Sequence, residues 1–434
     1  MDQVYLVCRN RVIDNIHEYN VYVDQAQGYQ GLQKALEMSR DEVTAIVKAS
    51  NLRGRGGAGF PTGVKWGFMP KNVTDGPVYL LVNCAEGEPG TFGNHEVIER
   101  NPQQLIEGII IACYAIGATA AYIYHRGEFK FAAERMQQAV DDAYAHGWLG
   151  EKVAGRDDFR LDIYLHPEAS AYICGEETAQ LNSLEGYLGQ PRLKPPFPAQ
   201  AGLWKRPTTV NNVETLAHVP LIVLNGADWF KQYGSEDSAG TRVYCVSGHV
   251  NRPGNYELPM NVTARELIFE HCGGIWKGRS LKGFIPGGVS APVLTEEHLD
   301  LPLDYGSMAK AGSMGGSGGV IVLDDQTDMA WLSTKMVDFY AHESCGKCSP
   351  CREGTYWQQN LLHRMMRGEA REGDVEMLEL VSEQMAGKCF CPLGESSQMV
   401  VLGAMKYFRD DFEAYGSGKA YDGVIPMREL VTIH

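Results

Sequence analysis

The sequence predicts a multidomain α/β protein in which a parallel sheet covered by helices is followed by a small α+β module and a helical tail. Between residues 77 and 165, apolar strand-like runs alternate with helical periodicity, as in parallel strands joined by helices. Residues 240–325 change to a hairpin pattern with a glycine-rich run, Gly312–Gly319. From Asp328 onward the apolar period is helical. A chain of 434 residues has room for about two to four such domains.

Residues 1–50 read as a lead-in and a helix, with Ser39 and Glu42 as a capping box and Val43, Ile46 and Val47 on one apolar face. LRGRGGAGFPTG (52–63) is a glycine-rich loop after that helix. PVYLLVN (77–83) reads as a buried strand, Pro102–Gly117 as a helix with proline near its start, and AAYIYHR (120–126) as a second strand. Phe131–Ala145 is a second helix and FRLDIYL (159–165) a third strand. TRVYCVSGHVNRPGNYEL (241–258) is a hairpin turning near Asn251–Gly254, Thr263 and Glu266 cap a short helix, and VIVL (320–323) is a strand. Helical segments near 328–341, 355–367, 373–385 and 397–414 make a bundle. The expected divisions are 1–50, 51–238, 239–326 and 327–434.

A net charge of −15 argues against a nucleic-acid role, because phosphate backbones attract basic surfaces. The most apolar stretch, Leu105–Ala121, contains Glu107 and small residues, so it reads as a buried helix and not as a membrane span. The first twenty residues carry acids and no long apolar run, unlike a secretory signal. The expected location is cytoplasmic, peripheral on the cytosolic side of a membrane-bound complex. Five of the 11 cysteines crowd into 345–391, which in a reducing compartment points to metal or redox chemistry.

The strongest motif is ESCGKCSPCREG, in which Cys345, Cys348 and Cys351 are spaced to wrap one face of an iron–sulfur cube. The fourth thiolate must come from elsewhere, and GKCFCPLG offers both Cys389 and Cys391. A zinc site is the alternative, although paired cysteines are its commoner pattern. Gly54, Gly56 and Gly59 satisfy G-x-G-x-x-G, but the loop follows a helix and not a strand, so it is not the ordinary dinucleotide fingerprint. Its glycines, Gly57 among them, offer backbone N–H groups to a phosphate or flat ring, and Lys65 adds charge. Phe60, Trp66 and Phe68 are interleaved there and fit a core equally well. NCAEGEPGTF places Asn83, Glu86 and Glu88 at the carboxyl end of the first strand, where open α/β sheets bind ligands. YICGEETA runs from a strand-like start into Glu176 and Glu177, acids that also suit a helix N-terminus. Lys194 and Phe197 lie in a proline-framed segment, and Asn211 and Asn212 can hydrogen-bond a ring edge.

In this order RGRGGAGFPTG, NCAEGEPGTF, YICGEETA, PRLKPPFP, VNNVET and ESCGKCSPCREG resemble the NADH-binding flavoprotein subunit of respiratory complex I. The flavin subunits of NAD-linked hydrogenases and formate dehydrogenases share that family. The resemblance spans roughly residues 28–414. It implies a Rossmann-like FMN domain, a β-grasp module of the SLBB kind and a four-helix domain holding a 4Fe-4S cluster. It implies that Gly54, Gly56, Gly57 and Lys65 contact FMN, and that Asn83, Glu86, Tyr172, Gly175, Glu176, Val210, Asn211 and Asn212 line its site. Phe60, Phe68, Glu88, Glu177, Lys194 and Phe197 would receive NADH, with Glu88 and Glu177 closest to the chemistry. Cys345, Cys348, Cys351 and Cys391 match the cluster ligands, leaving Cys389 as an extra. The implied partners are a small thioredoxin-like 2Fe-2S subunit and further electron-transfer subunits.

Three stretches depart from the family's usual pattern. Ala85 stands where an aspartate is usual, Gly93-Asn94-His95 where Lys-Asp-Arg is usual, and Ala169-Ser170-Ala171 where Gly-Ala-Gly is usual. They bear on flavin affinity and nicotinamide orientation and leave the cluster ligands untouched. The alternatives to a complex I subunit are a soluble hydrogenase or formate dehydrogenase subunit, a subunit with altered or lost hydride chemistry, and a zinc-stabilised binding module.

Overall fold

The computed structural model describes residues 4–71, 73–416 and 421. They fall into two compact units, residues 1–325 and 326–434. In the first, the lead-in holds two short helices that the sequence reading missed, α1 (Tyr19–Ala26) and α2 (Gln30–Leu36), before α3 (Arg40–Ala49). The Ser39–Glu42 capping box starts α3 as expected, and Val43 and Val47 are buried. After the glycine loop comes α4 (Thr62–Gly67).

The sheet alternation then runs β1 (Tyr79–Cys84), α5 (Gly93–Arg100), α6 (Pro102–Ile116), β2 (Ala120–Arg126), α7 (Lys130–Ala145) and β3 (Asp162–Glu168). The chain continues through α8 (Glu177–Leu184), α9 (Pro198–Ala201), β4 (Thr208–Asn212), α10 (Val213–Asn225) and α11 (Ala227–Phe230). All four strands are parallel, in the order β3-β2-β1-β4. Expected strand 159–165 lies three residues too early. Phe159 and Leu161 are apolar because they pack into the core, but Leu161 makes only an isolated bridge to Gly150. The strand-like start of YICGEETA is a single 3-10 turn, Tyr172–Gly175, and not a strand of the sheet.

Helix α6 is buried along its whole length and packs on α10. Gly108 is the point of closest approach, where an added Cβ would lie 2.1 Å from the Leu216 carbonyl oxygen. That neighbour is backbone and cannot swing away. Gly108→Ala is therefore expected to destabilise the chain by about 1–3 kcal/mol, the range of an overpacked core. Denaturant unfolding at a single flavin load checks it.

The α+β module carries β5 (Thr241–Gly248), β6 (Gly254–Pro259), β7 (Leu281–Ile285), α12 (Tyr305–Lys310) and β8 (Gly319–Asp324). Its sheet order is β6-β5-β8-β7, with β5–β8 parallel and the outer pairs antiparallel. The hairpin turns where expected, and Thr263 and Glu266 cap each other across a short helical turn. On β6, the Glu257 carboxylate accepts from the N–H groups of Leu6, Val7 and Cys8, which fastens the N-terminal segment to this sheet. The second unit is helical: α13 (Met329–Glu343), α14 (Ser349–Met366), α15 (Asp374–Met385) and α16 (Pro392–Gly416). The expected helix near 355–367 begins at Ser349, inside the cysteine motif. Among the described residues, no helix is long and apolar enough to cross a membrane.

Candidate functional site

Chain order in the first sheet reverses between β1 and β4, and a parallel sheet binds ligands beyond its carboxyl ends at such a reversal. Asn83 and Asn212 stand side by side there in register. Asn83 Nδ2 donates to the Gly175 carbonyl (2.9 Å) and Asn83 Oδ1 accepts from the Ala85 N–H (3.2 Å), which joins the loop after β1 to the turn before α8. Asn212 Oδ1 accepts from the Thr215 N–H (3.3 Å) and caps α10, while Asn211 Oδ1 accepts from Trp66 Nε1 (2.9 Å). Val210 is buried on β4. The glycine loop lies over this strand end. The Gly54 N–H donates to the Phe60 carbonyl (2.9 Å), and a Cβ on Gly56 would press on Asn212 Cβ at 3.1 Å. Gly57, at φ +141°, faces open space. Only glycine suits that conformation, and its bare backbone lets a ligand approach closely.

Carboxylates line the crevice. Glu86 is buried and accepts from the N–H groups of Asn94 (2.8 Å) and His95 (2.9 Å) at the start of α5. Burial pushes its carboxyl up to about 7, against the pull of those N–H groups. Burial likewise pushes Glu168, at the end of β3, up to about 7. An unfolded carboxyl titrates near about 4.3, so between that pH and about 7 the folded chain binds the extra protons. The stability from each group is therefore complete below about pH 4.3 and is lost as pH rises through about 7. Glu86→Gln should make that slope shallower, leaving the shares of Glu168 and the other buried carboxyls. Melting temperatures between about pH 5 and 8 measure it, and equal slopes in the two proteins would refute the assignment.

Glu88 bridges two parts of the first unit. It accepts from Tyr172 Oη (2.5 Å) and from both the N–H and Oγ of Ser290 (2.7 Å each), in the α+β module. Burial raises its pKa, against the donation of those hydroxyls. At the mouth, Lys65 Nζ and Lys194 Nζ donate to the two oxygens of Glu177 (3.0 and 2.8 Å). Burial works against ionisation of Glu177, but the two ammonium groups hold its carboxyl below the usual range. Glu176 takes a different part: its Oε2 accepts from the Thr178 and Ala179 N–H groups and caps α8, and its Oε1 meets Lys194 at 3.3 Å. The Phe60 and Phe68 rings lie 6.1 Å apart, tilted by 45°, and both are exposed, as is Phe197.

In the second unit, Cys348 is the N-cap of α14, Cys351 lies in its first turn, and Cys391 directly precedes α16. Two helix N-termini thus favour negative thiolates at the cysteine segments. Lys347 lies 4.5 Å over the Phe390 ring, which brings the two cysteine segments together. Cys351 Sγ sits 3.2 Å from Ser344 Oγ; burial pushes its thiol up to about 11, and neighbouring Cys348 and Cys345 add to that. The sulfurs are gathered but not closed: among the described residues, no three His, Cys, Asp or Glu side chains form a metal cage.

Residues 47–221 match the family model of the Nuo51 FMN-binding domain, 243–294 the SLBB domain, and 331–415 the NADH-ubiquinone oxidoreductase-F iron–sulfur binding region. The second NADH-quinone oxidoreductase F subunit of Rhizobium meliloti (strain 1021) is 51% identical over 94% of this chain and 97% of its own length. The chain belongs to the family of NADH-quinone oxidoreductase F subunits. The F subunit of Mycobacterium bovis is 49% identical over 92% of this chain and 90% of its own length. Among solved structures, the NAD+-reducing [NiFe]-hydrogenase in its H2-reduced state has a TM-score of 0.82 at 33% identity, over 92% of this chain and 67% of that one.

The residues present fit both groups of this family. For FMN there is a glycine cradle over a strand reversal, with backbone amides and a lysine at its edge. For an iron–sulfur cluster there are soft thiolate donors on two adjoining segments, with the sulfurs of Cys351 and Cys389 packed against the bare backbone of Gly394. Two of the three family departures have a local setting. Ala85 works through its backbone, accepting from the Gly87 N–H at 2.9 Å. Gly93 packs closely on Val243 Cγ1, 3.0 Å from its notional Cβ, so a side chain there would have to displace Val243 and Cys245. Ser290 and Tyr305, whose Oη donates to the Gly54 carbonyl at 2.7 Å, escaped the sequence reading because only the tertiary fold brings them to the crevice.

Proposed function

We propose that this chain is the NADH-oxidising flavoprotein subunit of a quinone-reducing complex. FMN held here would supply the two-to-one electron conversion between a hydride donor such as NADH and a one-electron 4Fe-4S cluster, which neither of those can make alone. The observation that carries the proposal is the crevice at the β1–β4 reversal, roofed by the glycine loop and edged by the Lys65–Glu177–Lys194 cluster.

The bare backbone of Gly54, Gly56 and Gly57, with Lys65, holds the flavin side. Asn83, Glu86, Tyr172, Gly175, Glu176, Val210, Asn211 and Asn212 shape its walls. Phe60 and Phe68, exposed and paired, offer ring faces to the adenine, and Phe197 and Lys194 flank the entrance. Glu88 and Glu177 position these groups: Glu88 ties the flavin loop to Tyr172 and Ser290, and Glu177 holds both lysines. Cys345, Cys348, Cys351 and Cys391 are the cluster ligands. The divisions 51–238, 239–326 and 327–434 carry the flavin, the SLBB-like module and the cluster. A small 2Fe-2S subunit and a cytoplasmic, membrane-peripheral place in the complex belong to the same proposal. The likeness to a NAD+-reducing hydrogenase favours a soluble hydrogenase subunit as the second reading. Gene neighbours encoding membrane subunits or a nickel–iron subunit separate the two.

Titrating the flavin-free chain with FMN tests the binding site. Fluorescence quenching should saturate at about one flavin per chain and weaken in Lys65→Ala. A chain that takes up no FMN would overturn the proposal.

A further inference from the structure

Cys389 is not needed by a four-thiolate cluster, yet its placement is not that of a surface thiol. A Cβ on Gly394 would lie 2.5 Å from Cys389 Sγ, 3.0 Å from Cys351 Cβ and 3.3 Å from Cys351 Sγ. The sulfur of Cys389 and that of Cys351 therefore pack against the same face of Gly394, so closely that even a methyl group there would collide with Cys389 Sγ. On its other side Cys389 Sγ meets the Met385 carbonyl at 3.5 Å, a weak contact readily given up. Cys389, Phe390 and Cys391 form a bend between α15 and α16, outside both helices. The bend is held against the first cysteine segment by the contact between Lys347 and Phe390.

We propose that the fourth ligand position of the cluster is duplicated, so that Cys389 can replace Cys391 as the thiolate that completes the set with Cys345, Cys348 and Cys351. The exchange involves no oxidant: one iron–thiolate bond to Cys391 breaks, one to Cys389 forms, and the proton of the incoming thiol passes to the departing thiolate. The proposal rests on the assignment of the cluster to these cysteines, and it extends that assignment to a residue the family pattern leaves over.

The test uses the full chain, loaded with FMN and reconstituted anaerobically with iron and sulfide, as Cys389→Ala, Cys391→Ala and the double variant. Alanine is chosen because a serine oxygen can itself bind iron. Iron and acid-labile sulfide are measured per chain, and the dithionite-reduced protein is examined by low-temperature electron paramagnetic resonance. Both single variants should keep their iron within about twofold of the unaltered chain, with different g-values from each, while the double variant loses about tenfold or more. If Cys391→Ala loses iron as fully as the double variant, or the double variant keeps it, the proposal is wrong. Far-UV circular dichroism guards against a misfolded variant, and Cys391→Val, which keeps the bulk without a donor atom, is judged by the same iron criterion if Cys391→Ala misfolds. An unaltered chain that takes up no iron would instead overturn the cluster assignment itself.

Discussion

Glu177→Ala should lower kcat/KM for NADH by about 30- to 100-fold while leaving FMN bound. The carboxylate is the common acceptor of Lys65 and Lys194, at 3.0 and 2.8 Å. Without it Lys65 loses its counter-charge, and Lys194 keeps only the 3.3 Å contact with Glu176. Truncating one member of a buried charged pair costs about 2–5 kcal/mol. Lys65, Lys194 and Glu177 keep 25–31% of their side-chain surface exposed, so solvent screening reduces this to about 2–3 kcal/mol. The loss falls mainly on KM, because Lys65, Glu177 and Lys194 border the entrance. Glu177→Gln keeps the hydrogen-bond acceptor and loses the charge, and should fall between the two proteins. Steady-state NADH oxidation with an artificial acceptor measures the effect, and a Glu177→Ala protein within about threefold of the unaltered one would remove Glu177 from the site.

Glu107→Ala has the largest expected effect on stability, about 3–5 kcal/mol. Glu107 lies inside the fully buried helix α6. Its carboxylate accepts from Tyr22 Oη, from the Tyr29 N–H (2.8 Å) and from the Leu32 N–H (2.9 Å), which bind α1 and α2 to the core. Burial raises its pKa, and the three donors oppose that rise. Alanine strands a hydroxyl and two backbone N–H groups in an apolar interior, each costing about 1–3 kcal/mol. Tyr22→Phe removes one donor and should cost about 1 kcal/mol. Calorimetric or denaturant unfolding of the two variants checks the order; a Glu107→Ala chain as stable as Tyr22→Phe contradicts it.

Glu107 also marks how far the sequence could be read. Its presence in an apolar run ruled out a membrane span, but its partners lie 75–85 residues away and nothing local announces them. Strand β2 and the start of α6 were legible because their side-chain periods and the proline agree with the tertiary fold. Helices α1 and α2 were not legible, because each buries only two or three residues and is held by distant groups. In the site, Asn83 and Asn212 were legible from their place at strand ends. The separate tasks of adjacent Glu176 and Glu177 were not. One caps the helix and the other points to two lysines, a difference set by the 3-10 turn that the sequence disguised as a strand. Glu88 was visible as a polar residue after a strand, but its partner Ser290 is 202 positions away in another module.

The most direct test of the central claim is an anaerobic titration of the FMN- and iron–sulfur-loaded chain with NADH, following the visible flavin band. The crevice at the β1–β4 reversal predicts bleaching complete at about one NADH per flavin. A flavin that dithionite reduces but NADH leaves oxidised would contradict it, and would mean that Ala85 and its neighbours have removed or changed the hydride donor.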